Sequence, residues 1–129
     1  MSDEKLEGGC ACGTIRYACN AAPKFSFLCQ CRDCQQATGT GHSAAFMMDR
    51  NATSVAGDMA WYERTAPSGN TISQGFCGKC GSPMMNKNSG HADVYFINAG
   101  SLDDPNQFKP QKVVYRESAT DWDLLDPEG

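Results

Sequence analysis

The chain has 129 residues with 11 Lys and Arg against 15 Asp and Glu, a formal net charge of −4. It therefore lacks the cationic surplus that phosphate neutralisation or an anionic membrane surface requires. Forty per cent apolar and 20% charged residues over this length suit one globular domain, residues 1–129, rather than two domains or a disordered chain.

In chain order, short runs with strand character lie between clusters of turn residues. Residues 14–18 and 24–28 alternate polar and apolar, and a turn at Gly39-Thr40-Gly41 leads into a strand at 43–48. Residues 71–76 alternate likewise, and 93–99 (with Val94, Tyr95, Phe96 and Ile97) and 111–116 (with Val113, Val114 and Tyr115) are runs of β-branched and aromatic residues. Helical periodicity is confined to one or two turns near 32–38 and again at 102–108, where Asp103-Asp104-Pro105 suits a helix start. The expected fold is mostly β and antiparallel. The longest apolar stretch, Ala44-Ala45-Phe46-Met47-Met48, falls far short of a membrane span. The opening Met1-Ser2-Asp3-Glu4-Lys5 lacks the pattern of a secretory signal, so the expected setting is the cytoplasm, without nucleic-acid or membrane partners.

The eight cysteines carry the chemistry. In a reducing compartment, thiols spaced Cys10-x-Cys12, Cys29-x-Cys31-x-x-Cys34 and Cys77-x-x-Cys80 favour metal over disulfides. Cys77-Gly78-Lys79-Cys80-Gly81 forms a zinc knuckle, its glycines permitting a left-handed backbone around the sulfurs. A knuckle supplies two ligands, and Cys10 and Cys12 are the natural second pair for a closed site of four thiolates. The alternative is that Cys10 and Cys12 are merely buried thiols.

Cys29, Cys31 and Cys34 offer three ligands, which leaves one tetrahedral position open, as in catalytic zinc sites. Cys19, His42 or His91 could instead close that site. Cys19 is otherwise expected to be buried at a strand end, His42 is a candidate general base, and His91 belongs in a solvated turn. Met47, Met48, Met84 and Met85 suit core filling, and Trp61 and Trp122 suit packing, with Trp61-Tyr62 able to cover a ligand.

Three segments together resemble one family. Gly8-Gly9-Cys10-Ala11-Cys12-Gly13-Thr14-Ile15-Arg16-Tyr17, the run Cys29-Gln30-Cys31-Arg32-Asp33-Cys34-Gln35-Gln36-Ala37-Thr38-Gly39, and Gly75-Phe76-Cys77-Gly78-Lys79-Cys80-Gly81-Ser82-Pro83 are similar, in this order, to the motifs of the glutathione-dependent formaldehyde-activating (centromere protein V-like) family. The likeness extends over residues 8–124. It implies a β-tent fold, a structural zinc at Cys10, Cys12, Cys77 and Cys80, and a catalytic-type zinc at Cys29, Cys31 and Cys34. The implied activity is that of a carbon–sulfur lyase joining glutathione, or a similar thiol, to formaldehyde or another small aldehyde. At Gln30 the family usually carries His.

A thiol such as glutathione needs cations for its carboxylates, and Arg32, inside the ligand loop, is the candidate contact. A non-enzymatic zinc scaffold for protein interaction is the competing reading, since one fold hosts several functions.

Overall fold

A computed structural model describes residues 5–125. Ten strands and one α-helix follow in the order β1 (Leu6–Gly9), β2 (Arg16–Cys19), β3 (Phe25–Cys29), α1 (Arg32–Thr38), β4 (Ser43–Asp49), β5 (Thr53–Ala56), β6 (Met59–Thr65), β7 (Thr71–Cys77), β8 (Pro83–Asn88), β9 (Val94–Asn98) and β10 (Lys112–Val114). They form a three-stranded sheet, β1-β2-β5, and a seven-stranded sheet, β10-β3-β4-β9-β8-β7-β6. The mostly-β expectation holds. No helix is long and apolar enough to cross a membrane.

Pairing is antiparallel except at one edge, where β10 runs parallel to β3. The C-terminal segment reaches this position by crossing over rather than by a hairpin, so the purely antiparallel expectation is corrected there. The expected helix at 102–108 shrinks to a 3-10 turn at Pro105–Gln107, started by the Asp104 carboxylate accepting from the Asn106 amide. The strand expected at 111–116 stops at Val114, because Tyr115 takes a left-handed backbone with φ of 59°.

The core lies between the two sheets. Ile15, Tyr17 and Cys19 from the small sheet and its hairpin pack with Phe46, Met48, Met84, Met85 and Ile97 from the large one. Met48, Met84 and Met85 are therefore core residues, and Cys19 is fully buried at the end of β2. Trp122 corrects its expected packing role: it is 65% exposed, while its neighbour Asp123 turns inward.

The strand register sorts side chains between the two faces of the large sheet. Trp61, Gly75, Met85, Ile97 and Phe46 lie along one cross-strand row, on the core side. Two rows on the opposite face are Tyr62, Gln74, Asn86, Phe96 and Met47, and Arg64, Ile72 and Asn88. Because side chains alternate across a strand, this second face, of mixed polarity, is free to build a site without disturbing the core.

Candidate metal centres and the adjoining cavity

Cys10 and Cys12 occupy the turn of the β1–β2 hairpin rather than a strand, while Cys77 ends β7 and Cys80 lies in the turn that leads to β8. The fold brings all four sulfurs within 4.8 Å of one another. Cys12 Sγ lies 3.7 Å from Cys10 Sγ and 3.7 Å from Cys77 Sγ. A disulfide needs about 2.05 Å, whereas tetrahedral zinc with Zn–S of about 2.3 Å sets neighbouring sulfurs roughly 3.8 Å apart. The donor set thus fits a four-thiolate ion.

Backbone amides already point at these sulfurs. Ile15 N donates to Cys10 Sγ at 3.2 Å, and Lys79 N donates to Cys77 Sγ at 3.4 Å. The Ile15 amide holds Cys10 below an ordinary thiol, and the Ser82 hydroxyl and amide pull Cys80 down to about 5. Both shifts run toward thiolate, the ligating form. Ser82 also accepts the Ala11 amide at 3.0 Å and so stitches the two turns together. In the knuckle only Gly81 has a left-handed backbone, with φ of 80°, which corrects the expectation that Gly78 shares it.

The second cluster is local. Cys29 ends β3, Cys31 caps α1 by accepting the Cys34 amide at 3.3 Å, and Cys34 lies in the first turn of that helix. Their sulfurs also lie within 4.8 Å of one another. A hydrogen bond from Cys34 lowers Cys29, and the same bond, with burial, raises Cys34 despite the opposing Ser43 hydroxyl.

Among the described residues no fourth Cys, His, Asp or Glu joins this triad. Cys19 sits in the other sheet, where its sulfur accepts from the Thr53 hydroxyl at 3.8 Å. His91 is exposed in a 3-10 turn. His42 is engaged through Nδ1 with the Asp123 carboxylate at 3.1 Å.

The C-terminal segment braces the ligand loop. Asp123 accepts from Gln30 Nε2 at 3.0 Å, and Gln30 N donates to Val114 O at 3.0 Å. Burial works against the Asp123 carboxylate, but the Gln30 and His42 contacts outweigh it and hold its pKa below the ordinary value. The buried Gln35 amide donates to Gln30 O at 3.1 Å and to Ser118 O at 3.0 Å. Sequence reasoning did not assign roles to Gln35 or Asp123, because their partners are distant carbonyls and amides that leave no local pattern.

Cys34 opens onto a cavity of about 460 Å³ between α1 and the second face of the large sheet. That size falls within the range of small-molecule sites. Arg32 is exposed, donates to Gln35 Oε1 at 2.9 Å and does not line the cavity. Arg64 does line it, together with Gln74, Asn86 and Asn98. Arg16, the other arginine near the first cluster, is bound at the surface by Asp103.

Two sheets, one four-sulfur cluster and one three-sulfur cluster beside a cavity define a mostly-β protein able to hold metal at two thiol-rich centres. The model of the family described as glutathione-dependent formaldehyde-activating enzyme matches residues 5–118, and the chain belongs to that family. No curated protein matches it. Its fold is similar to the crystal structure of a Rhodobacter sphaeroides protein, with a TM-score of 0.64 at 18% identity, covering 83% of this chain and 98% of the other.

Proposed function

We propose that the protein joins a small thiol to formaldehyde, or to a related small aldehyde, at a zinc held by Cys29, Cys31 and Cys34. A second zinc, held by Cys10, Cys12, Cys77 and Cys80, serves the architecture. All-thiolate donor sets select soft or borderline metals, and the sulfur spacing of the first cluster suits zinc. The observation that carries the reading is the contrast between the clusters. One has four sulfurs, and the other has three beside an open cavity.

Zinc at the triad supplies the positive charge that makes an incoming thiol a thiolate near neutral pH. The chain's own residues do the rest. Cys34 presents the triad to the cavity, and Ser43, at hydrogen-bonding reach of Cys34, offers a hydroxyl at the point where the reactants meet. In the reaction the thiol sulfur forms a bond to the aldehyde carbon as the C=O π bond breaks. The thiol proton ends on the new hydroxyl, and the product is a hydroxymethyl thioether. A one-carbon aldehyde needs far less room than about 460 Å³, so most of the cavity belongs to the thiol. A cytoplasmic setting would keep the thiols reduced.

Metal analysis of the wild type and of Cys31→Ser tests the assignment, together with glutathione titration of the cobalt-substituted protein. Two ions per chain are expected, falling to one in Cys31→Ser, and glutathione should shift the ligand-field absorption of the wild type. A spectrum that glutathione leaves unchanged removes the activity and leaves the fold untouched.

A further inference from the structure

The cavity has apolar walls, Phe27, Ile72 and Phe96 among them, and set into these walls are side-chain amides and one inward-facing cation. Arg64 and Lys87 are the charged residues of the lining, and no carboxylate is among the lining residues. Lys87 belongs to the opposite side-chain row and stacks over Trp61, 4.0 Å from the ring centroid. Arg64 reaches from β6 across to α1. Its Nε donates to Gln74 Oε1 at 2.8 Å and its Nη1 to Asp33 Oδ2 at 3.2 Å. Those two contacts fix the guanidinium plane beside the residue that precedes Cys34. Nη2 keeps both its donors without a partner among the described residues.

The side chains of Asn86 and Asn98 face the same cavity, each half-buried and without a side-chain partner among the described residues. Their amides are reached by solvent and are therefore free to exchange water for the polar groups of a bound molecule.

Resting on the reading that the triad activates a thiol, we infer that Arg64 binds a carboxylate of that thiol while Asn86 and Asn98 take its amide groups. Arg64 is then the residue that discriminates a carboxylate-bearing thiol from one that lacks a carboxylate. The fork of a guanidinium pairs with a carboxylate in a way an ammonium does not. The Asp33 contact leaves Arg64 partly neutralised, so it orients its guest as well as attracting it.

The test compares wild type, Arg64→Gln, Arg64→Lys and Asn98→Ala, all checked for metal content and circular dichroism. Cobalt-substituted protein is titrated with glutathione and with cysteamine, a thiol that has neither carboxylate nor amide. Zinc-loaded protein is titrated calorimetrically with S-methylglutathione, which keeps the carboxylates but has no free thiol. Arg64→Gln should weaken glutathione and S-methylglutathione by about 10- to 100-fold and leave cysteamine within about twofold. Arg64→Lys should recover only part of the loss, and Asn98→Ala should weaken both peptide probes but not cysteamine.

Equal affinities of wild type and Arg64→Gln for the peptide probes, or no binding of S-methylglutathione by wild type, overturn the inference. If no thiol moves the cobalt spectrum but S-methylglutathione binds in an Arg64-dependent way, the activity reading fails while the anion site stands.

Discussion

At Gly41 the backbone φ is not in the left-handed region, so conformation alone makes no demand for glycine. Proximity does. A Cβ there would sit 2.5 Å from Asp123 Cγ and 2.7 Å from Asp123 Cβ, so an alanine must push the C-terminal segment away from the ligand loop. Gly41→Ala should therefore cost about 1–3 kcal/mol, the usual range for overpacking, measured from urea denaturation midpoints. Asp123 itself adds a pH signature. Its folded pKa is lowered, so its contribution is complete above the ordinary carboxylate value of about 3.9 and is lost as pH falls through the lowered one. The stability gap between wild type and Asp123→Ala should be open at neutral pH and close in acid below about pH 4. A gap that persists in acid would assign the residue a packing role alone.

At the scale of elements, α1 is seven residues long, too short to persist without tertiary support. Its anchor is Gln35, whose amide satisfies two carbonyls, one in the ligand loop and one in the C-terminal segment. Gln35→Ala leaves both acceptors unpaired at a cost of about 1–3 kcal/mol. It should speed loss of metal from the Cys29, Cys31 and Cys34 cluster to a competing chelator without changing retention at the other cluster. Equal loss from both would show that α1 does not organise the triad. The strands β3 and β7 were legible because their apolar residues follow the period of a pleated strand, and β9 because it is a continuous β-branched and aromatic run. β8 was not, since it turns Asn86 and Asn88 toward the cavity and so lacks an apolar–polar alternation. β6 is an edge strand whose Trp61 and Tyr62 are both exposed, which hides its period. The cysteine clusters were legible because ligand spacing is local. Arg64 was not, because a lone arginine 31 residues from Asp33 carries no spacing signal.

At the scale of the molecule, the two clusters close loops of different size. Cys12 and Cys77 meet across 65 residues and join the small sheet to the large one. The second cluster joins residues 29 and 34, a strand end and the helix beside it. An ion at the first site therefore removes more unfolded-chain freedom, by about 2 kcal/mol on loop-length scaling alone, and also clamps the sheets whose interface is the core. Structural zinc is worth about 10–16 kcal/mol in small peptides at neutral pH, comparable with the whole stability of a domain. Cys80 is exposed, so Cys80→Ser would remove one proposed ligand without disturbing the core, and Cys31→Ser is the counterpart at the triad. In thermal melts of zinc-loaded protein, Cys80→Ser should lower Tm at least about 6 °C more than Cys31→Ser does. Cys31→Ser should keep a cooperative native-like transition. Matching melts for the two variants would mean that both ions support the fold equally, and the division between an architectural centre and a working one would fall.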